Sequence, residues 1–276
     1  MHPVYVHIKK ELSPFYAEEE ASAMAKWISS DILHLSTLEL YTGKDMNFST
    51  KEWEELEDIL RRLKLREPLQ YILQEASFCG MSFHVEQGVL IPRPETEELV
   101  EWIVADYREA GQVRILDIGC IPVSLAQLLP EAQVSSCDVS AEALRIAATN
   151  VKRYGDKVTL FCADILKEEL LECQVDVLVS NPPYITESER TDMEANVLDW
   201  EPELALFVPD SDPLRFYRRI ARKGLDWLSE GGALYFEINR AYGAETVRML
   251  EELGYRQIEL RKDLSGNDRM IKAIRP

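Results

Sequence analysis

The chain has 276 residues, 46% of them hydrophobic and 29% charged. That is the balance of a globular protein of one large domain or two modest ones, and it excludes disordered, collagen-like and mucin-like classes. The formal net charge is −18, and the parts on either side of residue 95 are both acidic, so no basic lobe stands ready to grip a nucleic-acid backbone by counterion release.

The N-terminal stretch MHPVYVHIKKEL lacks the apolar core of a signal peptide, and no apolar run nears the roughly 18 residues of a membrane span. Five cysteines (Cys79, Cys120, Cys137, Cys162, Cys173) form no C-x-x-C pair. Neither a disulfide framework nor a metal site is expected, and the chain reads as a reduced, cytoplasmic protein.

Residues 15–67 carry no proline and no strand-like alternation. Ala21, Met24, Ala25, Ile28, Ile32 and Leu35 recur at the spacing of a buried helical stripe, as do Trp53, Leu56, Ile59, Leu60 and Leu63, with Ser49 or Thr50 as the N-cap. Residues 1–75 are therefore expected to form a small helical domain. Between Ser77 and Val85 aromatic and apolar residues flank Gly80, and the segment 76–95 reads as a β-hairpin linker.

From residue 96 to 276 strand-like and helical segments alternate. Val113–Leu116, Val134–Cys137, Val158–Cys162, Val175–Val179 and Ala233–Ile238 are apolar runs, and 141–154, 212–228 and 242–253 have helical spacing. This alternation predicts a parallel, doubly wound α/β sheet.

Such a sheet binds its ligand outside the carboxyl ends of its strands. Arg114-Ile115-Leu116-Asp117-Ile118-Gly119 reads as one strand and its exit. Asp138 closes the next run nineteen residues after Gly119, near the ~20 of a nucleoside-binding βαβ unit. A carboxylate there can accept from both hydroxyls of a ribose, although a plain surface aspartate fits the same position. Asp164, ending the third run, is placed for an adenine amino group.

Cys120-Ile121-Pro122 then begins a helix without the glycine-rich turn that would let backbone N–H groups approach a ligand. About four Gly, Ser or Thr residues would restore a strand–loop–helix. We read them as omitted between Gly119 and Cys120, so that the chain is broken there; the alternative is a degenerate site.

Ser180-Asn181-Pro182-Pro183-Tyr184 follows the fourth run. Two prolines fix an extended bend and supply no N–H donors, so carbonyl oxygens face outward. With the Asn181 side-chain oxygen and the Tyr184 ring they suit a planar –NH2 group held by its hydrogens. Acceptors on those hydrogens stabilise the positive charge that grows on nitrogen as it is alkylated.

Asp117-Ile118-Gly119, Asp138, Asp164 and Asn181-Pro182-Pro183-Tyr184 resemble the ordered motifs of class I S-adenosylmethionine-dependent N-methyltransferases. Leu90-Ile91-Pro92-Arg93-Pro94-Glu95-Thr96-Glu97, Glu201-Pro202 and Asp263-Leu264-Ser265-Gly266-Asn267-Asp268-Arg269 narrow the resemblance, across essentially the whole chain, to the release-factor glutamine methyltransferase family (PrmC/HemK). The resemblance implies a Rossmann-like seven-stranded methyltransferase domain over 96–276, its last two strands an antiparallel hairpin at Arg256–Leu260 and Met270–Ile274. The helical N-terminal domain would contact the substrate protein.

The reaction implied is methyl transfer from S-adenosylmethionine, which becomes S-adenosylhomocysteine, to N5 of the glutamine in the Gly-Gly-Gln motif of class 1 peptide-chain release factors. The implied cofactor set is Asp117, Gly119 at the methionine moiety, Asp138 at the ribose, Asp164 and Ile165 at the adenine, and Asn181. Relatives often carry an aromatic residue where Ile165 stands, which points here to apolar contact in place of stacking. Asn181, Pro182 and Tyr184 would be catalytic. Asn181, Pro182, Pro183, Tyr184, Arg93 and Glu97 would bind substrate. The implied protein is a cytoplasmic monomer with no membrane or direct nucleic-acid partner.

A ribosomal-protein glutamine methyltransferase would share almost every motif. A DNA adenine methyltransferase would need a basic groove and a target-recognition insertion. A non-enzymatic binding module would rest on the missing glycine turn.

Overall fold

A computed structural model describes the chain apart from residues 44–47, 120 and 168–173. It divides into two compact units, Met1–Gln74 with Glu194–Trp200, and Glu75–Met193 with Glu201–Pro276.

The first unit contains α1 (Pro3–Leu12), α2 (Glu18–Trp27), α3 (Thr37–Thr42), α4 (Thr50–Lys64) and α5 (Leu69–Leu73). Ala21, Ala25, Ile28 and Leu35 of the first stripe and Leu56, Ile59, Leu60 and Leu63 of the second are buried together with Ile8 and Leu12. Ser49 caps α4 in a reciprocal capping box with Glu52, satisfying two N–H groups left open by the first turn. Trp53 departs from expectation, being 40% exposed. It sits in the first turn of α4, at the edge of the stripe, where its ring makes edge contacts with His7 and Phe48.

The second unit opens with a hairpin of β1 (Glu75–Phe78) and β2 (Met81–His84). Cys79 and Gly80, both at positive φ, form the two-residue connection whose twist matches the strands. Asn150 pins the free edge of β2, its Oδ1 accepting from His84 N at 2.8 Å and its Nδ2 donating to His84 O at 2.9 Å. Phe78 and Phe83 are buried in a core cluster of this unit.

Then come α6 (Pro94–Tyr107), β3 (Arg114–Ile118), α7 (Pro122–Leu128), β4 (Gln133–Asp138), α8 (Ala141–Arg153), β5 (Val158–Cys162), β6 (Val175–Ser180) and β7 (Ile185–Thr186). The short α9 (Ala195–Trp200), which belongs to the first unit, and α10 (Glu203–Leu206) and β8 (Phe207–Val208) follow. The chain ends with α11 (Arg215–Trp227), β9 (Leu228–Glu237), α12 (Gly243–Glu252), β10 (Arg256–Lys262) and β11 (Asp268–Ile274).

The seven-stranded sheet has the order β10-β11-β9-β6-β3-β4-β5. All neighbours are parallel except those of β11, as the expected terminal hairpin requires. Its central strands bury both faces by simple alternation. Ile115, Val177, Val179 and Tyr235 join one apolar cluster, with Leu99, Ile103 and Leu125 of the covering helices. Leu116, Leu178, Leu234 and Phe236 join the other, with Tyr217, Ile220 and Leu250.

The strands and the three later helices lie within a few residues of expectation. Helix α6 goes beyond it. Pro94 at its first position, with Glu95 and Glu97 in the first turn, is a helix start inside a segment whose prolines suggest only a junction. The expected break after Gly119 falls on Cys120, outside the described residues.

Candidate active site

From β3 the chain winds through β4 to β5 on one side, then returns with β6 on the other. The carboxyl ends of β3 and β6 therefore form the switch point of the sheet, where a crevice opens. A cavity of about 280 Å³ lies there, lined by Gly119, Asp138, Asp164, Ile165, Asn181, Pro182 and Pro183 among others. Residues far apart in sequence thus meet in one place. Asp117, Tyr184, Arg93 and Glu97 do not line it.

Asp117 sits beneath the floor, fully buried. Ser136 Oγ lies 2.9 Å from its Oδ2 and 3.1 Å from the Gly119 carbonyl oxygen, tying β4 to the exit of β3. Burial pushes the Asp117 carboxyl up to about 7, against the opposing Ser136 hydroxyl. Gly119 has φ +147°, which disfavours a side chain and keeps the backbone bare at the mouth.

Asp138 ends β4 with Oδ1 accepting from Ser140 N at 2.7 Å, while Ser140 caps α8. Burial raises its carboxyl above the usual range. Asp164 is held low, chiefly by Lys167, whose Nζ lies 2.9 Å from Oδ2, and its Oδ1 accepts from Leu166 N at 2.9 Å. Ile165 is buried, and its carbonyl accepts from Arg219 Nε at 2.9 Å.

On the other side, Ser180 Oγ donates to Ile118 O at 2.6 Å, fastening the ends of β3 and β6. Asn181 Nδ2 donates to Thr96 Oγ1 at 3.2 Å, and Thr96 Oγ1 donates to Glu237 Oε2 at 2.6 Å. Tyr184 OH donates to Glu237 Oε1 at 3.0 Å, and Asn239 Nδ2 donates to Tyr184 O at 3.1 Å. The Tyr184 hydroxyl is thus engaged away from the cavity, and burial beside Glu237 pushes its pKa far up.

Thr96 and Glu237, which bond to Asn181 and Tyr184 without lining the cavity, are not singled out by the sequence alone. Thr96 lies inside the motif at 90–97. Glu237 is signalled only by a lone charge closing the apolar run Leu234-Tyr235-Phe236.

Arg93 is committed elsewhere, its Nη2 lying 2.6 Å from Glu201 Oε1, while Glu201 Oε2 accepts from Ile91 N at 3.1 Å. That pair gives a structural reason for Arg93 and Glu201-Pro202 together, since Pro92 and Pro202 both line the cavity. Glu97 stands near Cys79, where its charge adds to the burial that raises the thiol to about 12.

Comparison with known proteins decides the family. Residues 5–73 match the model of the PrmC N-terminal domain, and residues 96–199 that of the methyltransferase small domain. The release factor glutamine methyltransferase of Bacteroides thetaiotaomicron is 49% identical over 280 residues, covering 100% of each chain. This chain belongs to the release factor glutamine methyltransferase family.

The Flavobacterium psychrophilum member is 41% identical over 268 residues, 95% of this chain and 94% of its own. The crystal structure of a protein-(glutamine-N5) methyltransferase (release factor-specific) from Alicyclobacillus acidocaldarius is 28% identical over 70% of this chain and 99% of that one, with a TM-score of 0.42. Among the described residues no helix is long and apolar enough to cross a membrane.

Proposed function

We infer that this chain methylates N5 of the glutamine in the Gly-Gly-Gln motif of class 1 peptide-chain release factors, using S-adenosylmethionine, as a cytoplasmic monomer. The observation that carries the reading is the meeting of Asn181-Pro182-Pro183 with Asp138 and Asp164 in one cavity at the switch point. Membership of the family supports the choice of a release factor over a ribosomal protein.

The donor set fits the cofactor. Asp138 is a part-buried acceptor at a strand tip, suited to a ribose diol, and Asp164 with Leu166 offers an acceptor and an apolar wall for an adenine. Ile165 supplies apolar contact, and Gly119 leaves room for the methionine moiety. Asp117 acts from below, through Ser136 and the Gly119 backbone.

Bound S-adenosylmethionine supplies an electrophilic methyl group on a sulfonium. Asn181 Oδ1 and the Pro182 carbonyl accept the hydrogens of the glutamine –NH2. They hold the amide in the cavity and stabilise the positive charge that grows on its nitrogen, which then sheds a proton to solvent. Pro183 keeps the bend rigid. Tyr184 acts through Glu237 as a positioning residue. Arg93 orients the segment leading into α6 through Glu201, and Glu97 would meet the substrate protein only outside the cavity.

The helical N-terminal domain (1–75) would contact the release factor, the hairpin (76–95) would link it, and 96–276 would carry the chemistry. Mass spectrometry of a release-factor peptide after incubation with enzyme and cofactor tests this directly. Addition of one methyl group at the Gly-Gly-Gln glutamine is expected, and an unmodified glutamine would refute it.

A further inference from the structure

We propose that Thr96 and Glu237 are positioning residues that fix which end of the Asn181 carboxamide faces the substrate. The inference rests on Asn181 as the acceptor of the glutamine amide.

A carboxamide has two ends of nearly equal size, one donating and one accepting. Shape alone cannot choose between them, yet the choice decides the chemistry. A substrate –NH2 needs an acceptor, and the wrong orientation would oppose two sets of donors.

The structure supplies the choice as a chain of hydrogen bonds. Thr96 and Glu237 are 3% and 1% exposed, so water does not substitute for either partner. An ionised carboxylate only accepts, and a threonine hydroxyl has a single hydrogen. The 2.6 Å contact of Thr96 Oγ1 with Glu237 Oε2 uses that hydrogen. Towards Asn181 the hydroxyl then has only lone pairs, and Asn181 must present its NH2, at 3.2 Å. Its Oδ1, without a protein partner among the described residues, is left for the substrate.

Several groups bear on the charge of Glu237. Burial, with Glu95, raises its carboxyl above the ordinary value, while the Thr96 and Tyr184 hydroxyls and the Arg269 guanidinium pull it back towards the ionised form. Tyr217 also stands near. Arg269 is in turn held by Asp263, with Nε 3.0 Å from Oδ2. The Asp263–Arg269 motif thereby gains a physical role, placing a positive charge behind the carboxylate that orients Asn181.

Thr96→Val keeps the shape and removes the hydroxyl. Glu237→Gln keeps the shape and supplies a donor that can reverse the chain. Both should lower kcat on a release factor by about tenfold to a hundredfold, less than Asn181→Ala, because the amide still samples the correct orientation. The cofactor dissociation constant and the KM for the release factor should move little. Thr96→Ser should recover most of the rate lost in Thr96→Val.

Wild-type kcat in both Thr96→Val and Glu237→Gln, with Asn181→Ala inactive, would overturn the orienting role and leave the assignment of Asn181 standing. Equal losses in Thr96→Ser and Thr96→Val would also overturn it, since packing alone would then be at stake. A wild-type rate in Asn181→Ala would instead remove the reading on which the inference rests.

Discussion

Asp138 ends β4 and Asp164 lies two residues beyond β5, and both line one cavity, but their carboxyls shift in opposite directions. Burial raises Asp138, whereas the Lys167 ammonium lowers Asp164. A part-buried carboxylate raised by burial gains most from a ligand hydroxyl. Asp138→Ala should therefore weaken S-adenosylmethionine binding by the worth of a charge-assisted hydrogen bond, about 1.5–3 kcal/mol. Turnover of the saturated enzyme should change much less. Calorimetry with an unchanged dissociation constant would reduce Asp138 to a strand-end residue.

Asp117 carries a different signature. Its carboxyl is raised from the ordinary 3.8 to about 7 by burial, so between those values the folded state holds a proton that the unfolded state has lost. Its contribution to stability is full below the lower value and falls as pH rises towards the upper one. Asp117→Asn, which cannot ionise, should gain melting temperature relative to wild type as pH climbs from 4 to 7. A difference independent of pH would show that Asp117 is ordinary in its titration.

At the scale of elements, α11 depends on a close approach. A Cβ on Gly224 would stand 2.4 Å from Tyr255 OH and 3.2 Å from Leu178 Cδ2. The Tyr255 hydroxyl cannot swing away freely, because it is buried and donates to Ala221 O at 2.8 Å. Gly224→Ala should destabilise the second unit by about 1–3 kcal/mol, despite the better helix propensity of alanine. Adding Tyr255→Phe should recover part of that loss, which chemical denaturation of the single and double variants would measure. If Gly224→Ala proved more stable than wild type, α11 would pack less tightly than the distances indicate.

Legibility in the sequence also varies by element. Strands buried on both faces announce themselves as short runs of branched residues, and β3, β4, β5 and β6 lie within two residues of the apolar runs that predict them. Helices α9 and α10, of six and four residues, are too short to show a period. The two-residue strands β7 and β8 pair with one another, a tertiary event that local pattern does not encode.

Across the whole molecule, the cavity-lining residues are legible where chemistry requires a particular side chain at a strand end: Asp138, Asp164 and Asn181. The supporting residues are not. Thr96 and Glu237 lie 141 positions apart, and only the order of strands in the sheet brings them together. Tyr184 and Arg93 stand out in the sequence as motif residues, whereas their hydrogen-bond partners Glu237 and Glu201 are visible only in the fold. The −18 charge does not by itself choose a protein substrate.

In the proposed reaction Asn181 presents an acceptor to the glutamine amide of a release factor. The most direct test is single-turnover methylation of a Gly-Gly-Gln release factor by the wild-type protein and by Asn181→Ala, each saturated with S-adenosylmethionine and followed by mass spectrometry of the glutamine peptide. The wild type should transfer one methyl group to that glutamine. The variant should do so about 10²–10³-fold more slowly, the loss seen when one preorganised partner of developing charge is removed. Equal rates for the two proteins would show that the Asn181 carboxamide takes no part in the transfer.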